Sequence, residues 1–170
     1  EFRHLIFNGR SYVYSNNRRY TFDCGEETDI SMEPKNLSFE DIYVGDTASF
    51  SRTWLEEDIE NFAKISGNTN PLHVNDLFAQ EKGFDSKLIY GMHIAVICST
   101  FVGMHLPGLR CLCLRQSLEF KKPVYVGDTT HISGIVEHKS EATRTLQISL
   151  SIKRGGEEVV VGSMLVQVLS

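Results

Sequence analysis

The residues best suited to chemistry lie close together between Asn68 and His73, with Asn70-Pro71 between them. An imidazole can transfer protons near neutral pH, whereas an amide can orient a water molecule but cannot accept its proton. Each residue also has an ordinary structural interpretation: Asn68 could stabilise a loop, Asn70-Pro71 could form a turn, and an isolated histidine is more often structural. Their combination ahead of an apolar helical segment favours a functional site.

Two long helices and one short helix are predicted around these residues. Apolar residues at helical spacing predict a helix over residues 55–65, with acidic residues in its first turn. The sequence Ser66-Gly67-Asn68 ends this helix, so the candidate residues are expected on a loop at its C-terminal end. A short helix is predicted over residues 76–82. The segment 91–105 is apolar on nearly every face, which predicts a buried second long helix.

Five strands are predicted from the alternation of apolar and polar residues. The first covers residues 47–54, and four more follow the second long helix, with Gly155-Gly156 as the turn between the last two. One apolar face on each strand indicates an antiparallel sheet, and the expected class is α+β. The alternating apolar residues are Leu112, Leu114, Leu118 and Phe120 in the first of the four, Ile132 and Val136 in the second, Leu146, Ile148, Leu150 and Ile152 in the third, and Met164, Val166 and Val168 in the fourth.

The N-terminal part differs in composition from the rest. Residues 1–22 contain four arginines against one acidic residue, which is typical of a mitochondrial targeting segment. The same residues place Asn8-Gly9 between β-forming stretches, which favours an ordered hairpin. Residues 23–36 are acidic, contain Gly and Pro, and are interpreted as a linker. Residues 37–170 are expected to form the main domain. Because the first residue is Glu, the chain is expected to be processed or cut from something larger.

Composition limits the possible functions. The chain has 170 residues, 41% hydrophobic and 23% charged, which is typical of a single globular domain. A net charge of −5 argues against a sequence-independent nucleic-acid binder. Neither the four cysteines nor the six histidines show metal-ligand spacing, so no metal or cofactor is predicted. No apolar run is long enough to cross a membrane, and the expected compartment is the bacterial cytoplasm or the mitochondrial matrix.

The segment 62–79 resembles the active-site signature of the MaoC-like (R)-specific enoyl-thioester hydratases. That signature runs aromatic, aliphatic, small residue, Gly-Asp-x-Asn-Pro-aliphatic-His, followed after five residues by Ala or Ser. Here Phe62 is the aromatic residue, His73 the histidine and Ala79 the small residue. Asn68 stands where the family carries its catalytic Asp. The resemblance extends from about Leu37 to the C-terminus.

The resemblance implies a hot-dog fold, in which a curved antiparallel sheet wraps around a central buried helix. It implies a hydratase or dehydratase that interconverts trans-2-enoyl and (3R)-hydroxyacyl thioesters of CoA or acyl carrier protein. His73 takes the acid/base role, Asn68 the Asp position, and the backbone N–H of Gly91 faces the thioester oxygen. The family's His before this glycine is Tyr90 here. The expected substrate-binding residues are Asn70, Pro71, Tyr90, Met92, Ile94, Ile97 and Phe101.

Asn68 leaves three interpretations open. His73 could work alone or with another carboxylate such as Asp76 or Asp85, giving a slower enzyme. The chain could instead be a catalytically impaired subunit that binds acyl thioesters or pairs with an active homologue. Asn68 could also be an introduced change. The family resemblance further implies a homodimer, or a heterodimer with such a homologue. Thioester hydrolysis is weaker, because hot-dog thioesterases usually carry an acid on the central helix and this helix has none.

Overall fold

The computed structural model describes residues 3–7, 10–15, 18–22 and 33–170, and the chain divides into two units, Glu1–Glu33 and Pro34–Ser170. The first unit contains strands β1 (Arg3–Phe7), β2 (Arg10–Ser15) and β3 (Arg18–Phe22), paired antiparallel in that order. The predicted Asn8-Gly9 turn and residues 23–32 of the predicted linker lie outside the described residues. The interpretation of residues 1–36 as an extension and a linker stays a prediction.

The second unit contains a five-stranded, fully antiparallel sheet in the order β4-β6-β7-β8-β5. Its strands are β4 (Thr47–Thr53), β5 (Cys111–Phe120), β6 (Thr129–Ser140), β7 (Thr145–Arg154) and β8 (Glu157–Val168). Gly155 and Gly156 join β7 to β8 with φ angles of 57° and 87°, a backbone conformation that favours glycine. The predicted antiparallel sheet is therefore confirmed.

Four helices accompany the sheet: α1 (Glu56–Ser66), α2 (Pro71–Val74), α3 (Asp76–Glu81) and α4 (Gly91–Thr100). A π-helical turn (Phe101–His105) continues α4, so together they match the predicted segment 91–105. Helix α1 ends at Gly67, whose φ of 70° is left-handed. The prediction that the whole candidate segment forms a loop was wrong, because Asn70 caps a new helical turn that begins at Pro71.

The hydrophobic core lies between α4 and the sheet. Ile94, Ile97 and Cys98 of α4 are buried in one cluster with the inward-facing residues of β6, β7 and β8. Gly134 on β6 is required by this packing, because a Cβ atom there would lie 2.6 Å from the Phe101 ring. The alternation predicted for β6, β7 and β8 is confirmed, since Ile132, Val136, Leu146, Ile148, Leu150, Ile152, Met164, Val166 and Val168 are all buried.

Two predictions of burial, one for α4 and one for β5, were wrong. Helix α4 is not buried all round, because Met92 and Val96 are 65% and 53% exposed. Strand β5 does not bury the predicted apolar face, and Leu112 and Leu114 are 47% and 49% exposed. This strand lies at the edge of the sheet, and a register shift between Cys113 and Arg115 interrupts its alternation. Met92, Val96 and Phe120 are exposed around one cavity between α4 and β5, and this apolar surface is called here the α4–β5 face.

Candidate active site

The loop between α1 and α2 is held by its own asparagine side chains. The Asn68 Oδ1 atom accepts a hydrogen bond from the Asn70 backbone N–H at 3.0 Å. The Asn70 Oδ1 atom accepts one from the Leu72 N–H, also at 3.0 Å, and so caps α2. Pro71 occupies the first helical position, where a missing N–H costs nothing. Both asparagine side chains therefore stabilise the loop that presents His73.

The imidazole of His73 is half-buried and its orientation is set by the backbone. Its Nδ1 atom lies 2.9 Å from the Leu88 carbonyl oxygen. Because a carbonyl oxygen can only accept, Nδ1 carries the hydrogen, and in the neutral ring Nε2 is left as the acceptor. The Leu88 N–H donates in turn to the Leu72 carbonyl at 3.0 Å. The neutral imidazole of His73 thus has a fixed tautomer, with Nε2 as its acceptor nitrogen.

Gly91 lies at the start of α4, where the first backbone N–H groups have no acceptor within the helix. The partial positive charge at a helix N-terminus adds to the ability of such groups to stabilise an anion. A Cβ atom at Gly91 would lie 3.3 Å from the Phe120 ring, so the absence of a side chain also allows this close approach. The geometry suits a backbone donor for a developing negative charge.

His73 and Gly91 line the same cavity, which has a volume of about 300 Å³. Ile94 and Phe120 contribute apolar walls, and Lys121 and Lys122 also line it. A second cavity of about 570 Å³ lies between α4 and β5 and includes Phe120 in its lining. His73 and the start of α4 therefore line one space that is bounded largely by apolar side chains.

The other predicted substrate-binding residues are spread over several environments. Ile94 lines the cavity of His73, whereas Met92 lines the second cavity. Ile97 and Phe101 are 5% and 0% exposed and belong to the hydrophobic core. Tyr90 is 2% exposed and packs beneath the His73 ring. Their roles toward a substrate, like those of Asn70 and Pro71, stay predictions.

No carboxylate is hydrogen-bonded to His73 among residues 33–170. Asp76, one of the two candidates from the sequence, accepts a hydrogen bond from the Lys87 backbone N–H at 3.0 Å. Asp85, the other candidate, is exposed, and its backbone carbonyl accepts a hydrogen bond from the Gln80 side chain. Neither takes the place of the family's Asp beside His73.

Sequence reasoning missed a partly buried cluster of Arg52, Asp58 and His93, in which Asp58 is the buried member. The Arg52 guanidinium forms an ion pair with Asp58, whose second oxygen accepts the Leu55 N–H at 2.8 Å. The His93 Nε2 atom lies 4.0 Å from the same carboxylate. Burial holds the pKa of His93 below its usual value, and the attraction of Asp58 only partly offsets this effect. Asp58 is acidic in a first helical turn, and this position alone gave no sign of the pairing.

The described part of the chain offers neither a membrane-spanning helix nor a candidate metal centre. None of its helices is long and apolar enough to cross a membrane. The same residues contain no group of three or more His, Cys, Asp or Glu side chains that could hold a metal ion.

Comparison with known proteins places the chain in a family. Residues 41–154 match the model of the MaoC-like domain. An "(R)-specific enoyl-CoA hydratase" of Rhodospirillum rubrum is 37% identical over 134 residues, which is 76% of this chain and 90% of that protein. The chain therefore belongs to the MaoC-like family.

Solved structures and a plant relative extend this result. The (R)-hydratase of A. caviae, described as involved in PHA biosynthesis, superposes with a TM-score of 0.72 at 32% identity, over 75% of this chain and 97% of that chain. The fold is thus the hot-dog fold expected from the resemblance. A mitochondrial 3-hydroxyacyl-[acyl-carrier-protein] dehydratase of Arabidopsis thaliana is 36% identical over 94 residues, 55% of this chain and 54% of that protein.

Proposed function

We propose that the protein interconverts trans-2-enoyl and (3R)-hydroxyacyl thioesters of CoA or acyl carrier protein. The main support is that one cavity is lined by both His73, whose Nδ1 is held by the Leu88 carbonyl, and Gly91 at the start of α4. Relatives at 31–37% identity carry the names of enoyl-CoA hydratases and 3-hydroxyacyl dehydratases, which supports a hydro-lyase reaction.

In the proposed hydration, His73 Nε2 removes a proton from a water molecule as its oxygen bonds to the β-carbon. The electrons of the carbon–carbon double bond move toward the thioester carbonyl, and enolate charge develops on its oxygen. The Gly91 N–H stabilises that charge, since a fixed donor is most effective where charge develops in the transition state. The imidazolium then returns its proton to the α-carbon. Dehydration follows the same steps in reverse.

A catalytically impaired acyl-thioester-binding subunit is the second candidate function. It is favoured by one observation: the Asn68 side-chain oxygen accepts the Asn70 N–H, and within residues 33–170 no carboxylate is hydrogen-bonded to His73 in place of the family's Asp. In this case the chain would bind the thioester in the same cavity or pair with an active homologue. The pocket and its imidazole would remain without efficient turnover.

The two candidates differ in a direct assay. Hydration removes the conjugation of an enoyl thioester, so its ultraviolet absorbance should fall when catalytic amounts of protein are added. Enoyl thioesters of CoA and of acyl carrier protein should be tested separately, with protein denatured by heat as the control. Binding of the thioester without turnover would support the impaired subunit. Absence of both binding and turnover, with a folded protein, would refute both.

We further propose that the α4–β5 face is covered by a second subunit, either a copy of this chain or an active homologue. An apolar surface at a sheet edge is a common association site, because it presents both unpaired backbone groups and hydrophobic area.

Replacing Val96 on this face by glutamate is expected to shift the protein toward monomer in sedimentation velocity. Leu77→Glu, on the exposed surface of α3, is the matched control. Sedimentation of the wild-type chain only as a monomer would contradict the homodimer. If the chain also stays monomeric when it is mixed with an active homologue, the whole association proposal is contradicted.

The compartment also stays a proposal, with the bacterial cytoplasm and the mitochondrial matrix as its two alternatives. Similarity to the mitochondrial plant relative is compatible with the second of them. Fractionation of the source cells would distinguish the two, and recovery of the protein from a membrane or secreted fraction would contradict both.

A further inference from the structure

Two residues that differ from the family pattern, Asn68 and Tyr90, are joined by a hydrogen bond. The Tyr90 hydroxyl donates to the backbone carbonyl oxygen of Asn68 at 2.6 Å. Tyr90 is 2% exposed, and burial raises its pKa, so its hydroxyl keeps its proton and remains a donor at neutral pH. It directly precedes Gly91 and is therefore attached to the start of α4. One side chain thus connects the loop of Asn68 to the helix that carries Gly91.

The same side chain also supports the imidazole of His73. The two ring centroids are 3.9 Å apart and their planes differ by 28°, which is a stacked arrangement. Phe62 of α1 packs against the Tyr90 ring at a centroid distance of 5.0 Å, so the tyrosine has little room to move. Together with the bond from Nδ1 to the Leu88 carbonyl, this stacking restrains both the tilt and the rotation of His73.

We propose that Tyr90 is a positioning residue, which holds the Asn68 loop, the His73 ring and the start of α4 in one arrangement. This inference depends on the proposed function only for its kinetic consequence. Its physical content is that the phenol ring directs the free Nε2 of His73 into the cavity, while the hydroxyl prevents the Asn68–Asn70 turn from moving away. Such alignment affects rate strongly, because small displacements of a reacting group lower the fraction of productive encounters.

Two replacements separate the contributions of the hydroxyl and the ring. Tyr90→Phe keeps the ring and removes the hydrogen bond, and it is expected to lower kcat about fivefold to tenfold with KM changed less than about twofold. Tyr90→Leu removes both contacts and is expected to lower kcat about 100-fold. Tyr43→Phe is the matched control, because Tyr43 is 66% exposed, and its kinetics should equal those of the wild type.

A second measurement does not depend on activity. In uniformly isotope-labelled protein, the ring resonances of His73 should be shifted upfield by the Tyr90 ring, and His73→Gln assigns them by their disappearance. Tyr90→Phe should retain this shift but change the Asn68 and Asn70 amide resonances, whereas Tyr90→Leu should abolish it. Circular dichroism and thermal unfolding verify that each variant is folded.

The outcomes distinguish this proposal from the proposed function. Unchanged amide resonances in Tyr90→Phe would overturn the role of the hydroxyl, and an unchanged His73 shift in folded Tyr90→Leu would overturn the role of the ring. If the wild type turns over no enoyl thioester, the proposed activity fails, and the resonance measurements alone decide the positioning role. If Tyr90→Leu does not fold, Tyr90→Phe provides the decisive comparison.

Discussion

Replacement of His73 by alanine is expected to lower kcat for hydration of a trans-2-enoyl thioester by about 10³-fold or more. The variant removes the imidazole of His73. Among the residues predicted for the site, no other has a basic nitrogen in its side chain. Among residues 33–170 no carboxylate is hydrogen-bonded to His73, and Asp76 instead accepts a hydrogen bond from the Lys87 N–H. The rate should be followed as loss of the conjugated enoyl absorbance, with substrate above and below KM.

The loss should appear in kcat rather than only in KM, because His73 is proposed to act in the chemical step. His138→Ala is the matched control, since His138 is exposed on β6 and distant in sequence from the proposed site. A folded His73→Ala protein with the wild-type rate would place the chemistry elsewhere in the molecule. It would contradict the proposed mechanism while leaving family membership unaffected.

Replacement of Asn68 by aspartate is expected to raise kcat by about 10²–10⁴-fold, the usual contribution of a positioned general base. The change is nearly isosteric, and one carboxylate oxygen can keep the hydrogen bond from the Asn70 N–H that now fixes the turn. The second oxygen is then available to accept a proton from water, which an amide cannot do. The measurement is the same absorbance assay, with wild type and variant at equal protein concentration.

Asn75→Asp provides the control for added charge. It introduces the same negative charge on a neighbouring exposed helix cap, and aspartate is as good a cap as asparagine, so α3 should be preserved. Its rate should stay near that of the wild type. If Asn68→Asp is active and the wild type is not, the result would favour either the impaired subunit or the interpretation that Asn68 is an introduced change. Activity in neither folded protein would reject the enzyme proposal.

Much of the fold could be predicted from the sequence because its signals are local. Apolar spacing located α1, α4 and strands β6 to β8 to within a few residues, since helix and strand periods are set by backbone geometry. The Asn-Pro-Leu-His segment indicated the MaoC-like family, which the comparisons confirm. Periodicity failed at β5, where a register shift interrupts the alternation, and for α4, whose apolar residues outnumber those that this chain buries.

The sequence by itself determined the family, the order of the main elements and a short set of candidate residues. Only the tertiary structure decided that the Leu88 carbonyl orients His73, that the Tyr90 hydroxyl donates to the Asn68 backbone carbonyl, and that Asp58 lies beside both Arg52 and His93. These contacts join residues from 6 to 35 positions apart. Hydrogen bonds of this kind depend on distances of a few tenths of an ångström between separate elements, and no local pattern of residue types encodes such distances.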